Sequence, residues 1–279
     1  MAPVREAADH DRLLRFGAEV RRALEDAGAP VALIARSGLD LDRIGHRYSH
    51  AGLVTPEPGA GGLASWRVRQ LYYACDEGRA RLFDQGVAGF VAGLDDPASG
   101  RIALVVPAAP LDAALARSTR DTALGLALLG PSYSANAHAH ATRHQNCNQW
   151  VAELTAAAAP VPEGADAPAP VTDRAAAQRR LTELGYAPSV VEVPAPLRWL
   201  APLSPWLRHD DHPEEDLRAG RYRVSMPASL EAWVRQLAPA SRRIELCLAR
   251  GQVVVRHGWT PLDADCTPGE GDEVRPLAP

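Results

Sequence analysis

Residues 145–150 read Gln-Asn-Cys-Asn-Gln-Trp, and a polar, histidine-bearing stretch from Ser132 runs straight into them. Trp150, Val151 and Leu154 recur at helical spacing over 146–159, which sets Cys147 at the start of a helix. A helix start carries unpaired backbone N–H groups and the positive end of the macrodipole, and both favour a thiolate. The same N–H groups can receive the negative charge of a tetrahedral intermediate beside the sulfur. The stretch predicts a cysteine nucleophile presented by a helix, and its base has to be sought elsewhere in the chain.

That base is predicted on a strand. Residues 46–52, His-Arg-Tyr-Ser-His-Ala-Gly, lead into an extended segment over 48–54, where alternation puts Tyr48, His50 and Gly52 on one face. A strand gives the His50 imidazole a fixed direction, although the same pattern suits a half-buried histidine satisfied by the backbone. The Pro/Gly-rich stretch 56–62 separates it from 66–75, whose aromatic and β-branched residues predict an antiparallel partner, so that 46–75 form a hairpin. On the partner strand Gln70 is the best-placed residue to orient the imidazole, with Asp76 and Glu77 as competitors.

The remaining pattern is α+β. Apolar spacing predicts an amphipathic helix over 11–27 stopped by Gly28, a buried strand over 31–36, a short helix over 82–94, a strand over 102–107 and a helix over 111–129. The Ala/Pro-rich stretch 160–172 reads as a linker or surface loop, dividing a core over 11–159 from a C-terminal extension over 173–279. In the extension, Thr172-Asp173 caps a helix ended by Gly185, a strand spans 190–193, Ser229 caps a second helix, and a hairpin turns at Arg250-Gly251.

Composition excludes several classes. At 279 residues and 46% hydrophobic the chain can bury a sizeable core, and a net charge of -4 argues against a nucleic-acid partner. No apolar run approaches the roughly 18 to 20 residues of a membrane span, so no membrane insertion is expected, and residues 1–30 show no charged-then-apolar leader. Four cysteines, Cys75, Cys147, Cys247 and Cys266, are too widely spaced for a zinc knuckle or a redox CxxC. With Cys147 held as a thiol, one disulfide can form among the other three, and Cys247 with Cys266 is the preferred pair.

Two histidine clusters offer rival chemistry. His138, His140 and His144 precede Cys147 and have metal-ligating side chains, so a His-rich metal-binding protein is one alternative, but the run lacks a helical His-Glu-x-x-His arrangement. His209, Asp210, Asp211 and His212 lie in a charged stretch and read as a solvated turn. No cofactor and no metal is predicted, and Trp199, Trp206 and Trp233 are given no binding role.

Residues 46–52 followed by 145–150 resemble the ordered signature of permuted papain-like (NlpC-type) cysteine hydrolases, in which a Ser-His-(Val/Ala)-Gly strand precedes a polar residue on the next strand and an Asn-Cys helix start. Tyr48 to Gly52, Val68 to Tyr73, Tyr133 to Asn136 and Arg143 to Trp150 also resemble an uncharacterised bacterial family, number 2145 among domains of unknown function. The resemblance implies a permuted papain-like α+β fold, an antiparallel sheet with packed helices, plus a C-terminal α/β extension. It implies Cys147 as nucleophile, His50 as base and Gln70 as orienting residue, where many permuted relatives carry an acid or a second histidine. The implied substrate is an amide, ester or thioester, cell-envelope peptides included, and the implied location is periplasmic. The alternative is a papain-like binding module of the envelope whose chemistry has lapsed.

Overall fold

The computed structural model describes residues 6–39, 41, 44–58, 64–160, 169–194, 198, 204 and 206–277. Much of the 160–172 linker, the tip of the 46–75 hairpin and Trp199 lie outside the described residues.

Helix α1 (Ala7–Ala27) buries Leu13, Phe16, Val20, Ala23 and Leu24, the face its sequence spacing predicts, and ends at Gly28 in the left-handed region, φ 61°. Strand β1 (Ala32–Arg36) follows, buried at every position. It pairs antiparallel with β2 (His50–Pro58), which pairs antiparallel with β3 (Ala64–Ala74), so the predicted hairpin is present.

The segment expected as a helix over 82–94 divides between strand and helix: β4 (Arg79–Gly86) returns along β3 after a turn at Gly78, φ 66°, and α2 (Val87–Val91) follows it. Burial along β4 is low on both faces because it is an edge strand, which hides the period-two signal in the sequence. Strand β5 (Gly100–Val106) is followed by α3 (Leu111–Arg120) and α4 (Thr122–Ala127) rather than one helix. Asp121 breaks the run: its backbone is extended and its carboxylate accepts from the Leu124 N–H at 3.0 Å, capping a new helix.

Helix α5 (Cys147–Ala158) starts where the sequence places it, and α6 (Arg174–Glu183) is capped by Asp173, which accepts from the Ala176 N–H at 2.8 Å. Strands β6 (Ser189–Glu192) and β7 (Arg221–Val224), on either side of α7 (Glu214–Ala219), form a separate two-stranded sheet. Helix α8 (Pro227–Leu237) begins two residues before the predicted cap; Ser229 lies in its first turn and bonds back to Met226. Strands β8 (Arg242–Ala249) and β9 (Gln252–His257) make the predicted hairpin, with Arg250 and Gly251 both at positive φ, and β10 (Glu273–Pro276) adds outside β9.

The fold is thus α+β, with an eight-stranded antiparallel sheet in the order β10-β9-β8-β5-β1-β2-β3-β4. Alternation on the central strands serves two cores. Leu33, Ala35, Ala103 and Val105 face α3, α5, α6 and α8, while Ala32, Ile34, Ile102 and Leu104 face α1 and α2. The C-terminal residues contribute β8 beside β5, so one sheet runs through both portions of the chain.

Cys247 of β8 is disulfide-bonded to Cys266, closing a separation of 19 residues. Loop-closure entropy assigns such a crosslink about 3 kcal/mol. Changing both cysteines to serine is expected to lower stability by about that amount in urea unfolding, and an unchanged midpoint would show that the bond constrains nothing.

Candidate functional site

The site is built at the start of α5. Asn146 caps the helix by accepting from the Gln149 N–H at 2.7 Å, and its side-chain NH2 donates to the carbonyls of Ala135 and Ser225 at 3.2 and 3.3 Å. Asn148 donates to the Ser49 carbonyl at 3.2 Å, tying the helix start to the residue before His50. Gln149 donates to the carbonyls of His138, Ala139 and Ala141, and Trp150 Nε1 to that of Gly125 at 3.1 Å. Each polar residue of the Asn-Cys-Asn-Gln-Trp run other than the cysteine fixes the helix start against a different segment.

Cys147 is a free thiol, buried, and the backbone N–H groups of Asn148, of Cys147 itself and of Ala51 favour its thiolate form. Ala51 follows His50, so the sulfur lies against the strand that carries the histidine. Burial, and after it the neighbouring Cys147, holds the Tyr133 hydroxyl well above its ordinary value, and the Tyr133 ring stacks on Tyr73 with centroids 4.9 Å apart.

His50 Nε2 is hydrogen-bonded to Gln70 Oε1. An amide oxygen only accepts, so Nε2 carries the proton and Nδ1 keeps a free lone pair. The β2–β3 register sets Leu53 opposite Arg69, and continuing it brings Gly52 opposite Gln70. A Cβ on Gly52 would approach Gln70 Cβ and the Arg69 carbonyl at 3.2 and 2.9 Å, so glycine there lets the two strands close up beside the histidine. Asp76 and Glu77 lie on the exposed β3–β4 turn, where Glu77 pairs with Arg79 and Arg81.

Sequence reading passed over Arg36. The β1–β2 register places it opposite His50, buried, with its guanidinium 5.4 Å from the Phe90 ring centroid. A Cβ on Gly93 would overlap that guanidinium, so a glycine is required for the arginine to lie where it does. The signal available was a charge ending an otherwise apolar strand, which a surface arginine would equally produce.

Protonation runs against the simple helix-start argument. Burial pushes the Cys147 thiol up to about 11, although the Asn148 N–H, the Arg36 charge and the N–H groups of Cys147 and Ala51 all favour thiolate. Burial also pushes His50 down to about 3, the Arg36 charge adds to this, and the Gln70 bond opposes it. At neutral pH the thiol keeps its proton and the imidazole is uncharged. Iodoacetamide labelling of Cys147 in the native protein is therefore expected to climb about tenfold per pH unit well past pH 9, whereas in urea it levels off near the ordinary thiol value of about 8.5. A native plateau below pH 7 would mean instead a thiolate–imidazolium pair.

The second histidine cluster is no solvated turn. His212 is buried and its Nε2 donates to the Asn136 carbonyl at 2.7 Å, and Asp211 accepts from the His138 N–H at 2.9 Å. His144 lies 2.6 Å from Ser132 Oγ and 2.7 Å from Asp210 Oδ1. These contacts clasp residues 206–212 onto the loop leading to Cys147, and among the described residues no group of three such side chains is arranged to hold a metal ion.

A cavity of about 740 Å³ opens beside the thiol, lined by Cys147, His50, Arg36 and Tyr133, by residues of β6 and β7, and by Leu39, Leu41 and Ile44. Trp206 also lines it, and Trp233 packs in the core. A family described as an uncharacterized protein conserved in bacteria, domain of unknown function 2145, matches residues 23–234. The chain belongs to this family. The match spans His50, Gln70, Tyr133 and Cys147, and ends within α8, so β8, β9, β10 and the disulfide lie beyond the part of the chain this family defines. No curated protein and no solved structure matches the chain. None of the helices described is long and apolar enough to cross a membrane.

Proposed function

We propose that this protein is a cysteine hydrolase of permuted papain-like (NlpC-type) architecture, acting from the periplasm on an amide, ester or thioester carbonyl. The observation that carries the reading is the buried free thiol of Cys147 at the start of α5, lining one cavity with His50. The chain order of histidine strand, polar residue on the next strand and cysteine helix agrees with it, and the Cys247–Cys266 disulfide supports an oxidising compartment.

In this reading the Cys147 sulfur attacks the carbonyl carbon while His50 Nδ1 takes the thiol proton in the same step, because neither group is charged beforehand. Gln70 holds the tautomer that makes Nδ1 the acceptor. The Cys147 N–H and the Tyr133 hydroxyl receive the developing oxyanion. His50 then protonates the leaving group, and water, deprotonated by His50, releases the acyl group from sulfur.

The elevated thiol favours a second reading, a binding module that keeps the fold without turnover, since such a module needs no activated sulfur. Incubation with p-nitrophenyl esters and mass analysis of the intact protein separates the two. A hydrolase gives steady release of nitrophenol with a transient acyl adduct on Cys147; absence of both release and adduct across activated esters, thioesters and amides leaves the binding module.

A further inference from the structure

The walls of the cavity beside Cys147 differ from its reactive end. Besides Cys147 the cavity is lined by Leu41, Ile44 and Val193, which pack against Val191 and Val224 of the small sheet and against Met226. Several polar residues of the lining have their polar atoms committed elsewhere. Arg198 donates to the Leu217 and Arg218 carbonyls, the Asn146 side chain is spent on the cap and on backbone carbonyls, and the Asn136 NH2 faces His209 Nδ1 at 3.4 Å. Cys147, His50 and Arg36 line the same cavity, and Asp95 of its lining is exposed.

A ligand complementary to this cleft has one polar, reactive end and a long apolar body. We propose that the cleft takes a long hydrocarbon acyl chain, delivered as an ester or thioester whose carbonyl lies at Cys147. This deepens the hydrolase reading and rests on it. The side on which the chain lies follows from the helix start: Asn148 ties it to Ser49 next to His50, and Asn146 ties it to Ser225 at the end of β7. His50 protonates the leaving alcohol or thiol, so the leaving group departs along β2, and the acyl chain runs toward β6 and β7. The Cys147 sulfur bonds to the acyl carbon, the bond from that carbon to the alcohol oxygen or thiol sulfur breaks, and the thiol proton leaves with that group through His50. Water then cleaves the acyl–sulfur bond, giving a free fatty acid and the original thiol.

Burying a methylene is worth about fourfold in affinity. Octanoate carries about six methylenes more than acetate, so for the full chain kcat/KM for p-nitrophenyl octanoate is expected to exceed that for the acetate by on the order of 1,000-fold. Labelling of Cys147 by octyl methanethiosulfonate should likewise outpace the methyl reagent, a preference absent in urea. This second arm needs no turnover. Val193→Ser and, separately, Val191→Ser should collapse both ratios, and using two positions guards against one that merely misfolds. Hydrolysis with ratios near one would overturn the acyl-chain proposal and leave the hydrolase standing. A labelling preference without hydrolysis of any ester would overturn the hydrolase and leave an acyl-chain binding cleft. Hexyl acetate hydrolysed in preference to ethyl octanoate would overturn the assignment of the chain to the acyl side.

Discussion

Cys147→Ala is expected to reduce ester and thioester turnover to the uncatalysed background, a fall of about 10⁴-fold or more, while the protein stays folded. The sulfur is not what fixes the helix start. Its neighbours Asn146, Asn148, Gln149 and Trp150 carry the hydrogen bonds that fix the helix start, and all of them survive the substitution. The stability cost is that of one small buried side chain, about 1 kcal/mol. His50→Ala should approach the same loss of rate but leave the thiol present, so Cys147 in that variant still labels with iodoacetamide at high pH. Gln70→Ala should be milder, because it frees the ring to rotate and change tautomer without removing the base. Turnover by Cys147→Ala at the wild-type rate would remove the nucleophile assignment outright, and equal effects of Gln70→Ala and His50→Ala would mean that the amide does more than orient.

Local rules recovered α1, the β2–β3 hairpin, the start of α5 and the Arg250-Gly251 turn, because each is set by a cap, a glycine or an alternation within its own segment. They failed at β4, whose edge position leaves both faces wet, and at Asp121, whose cap splits a continuous apolar period. Around the cavity, the helix start at Cys147 and the pairing of His50 with Gln70 were legible because strand alternation and helix capping are local properties, and the sheet brings those two into contact. Tyr133 and Arg36 were not. Tyr133 reaches Cys147 from a loop with no periodicity, and Arg36 matters only because the β1–β2 register sets it across from His50. Protonation was least legible of all. The sequence shows the helix start that favours a thiolate, but the burial that outweighs it belongs to the assembled cleft.

The segment before Cys147 is held from beneath by a fully buried carboxylate, and its truncation is expected to have the largest effect on stability. Glu153 on α5 accepts from Arg174 Nε at 2.9 Å, from Gln178 and from Gln145. Arg174 in turn donates to the carbonyls of Ala141, Thr142 and His144, so one acid supports α6, α5 and the loop that delivers the nucleophile. Glu153→Ala leaves a buried guanidinium and two buried amides without their acceptor, a loss of about 3–5 kcal/mol. For a chain of this size that lowers the melting temperature by about 10 °C. Charge and truncation are separable here. Burial pushes the Glu153 carboxyl from 4.5 up to about 7, opposed by Arg174, Gln178 and Gln145. Its folded value lies above its unfolded one, so the folded protein holds an extra proton between those limits, and stability falls as pH rises from about 4.5 to about 7. Glu153→Gln keeps an acceptor oxygen and abolishes the titration, so it should be much milder than the alanine variant and should flatten the decline in stability over that pH range. If urea midpoints of the alanine and glutamine variants coincide, the hydrogen-bond network around Glu153 does not hold the loop, and the position of Cys147 depends on the bonds of Asn146, Asn148, Gln149 and Trp150.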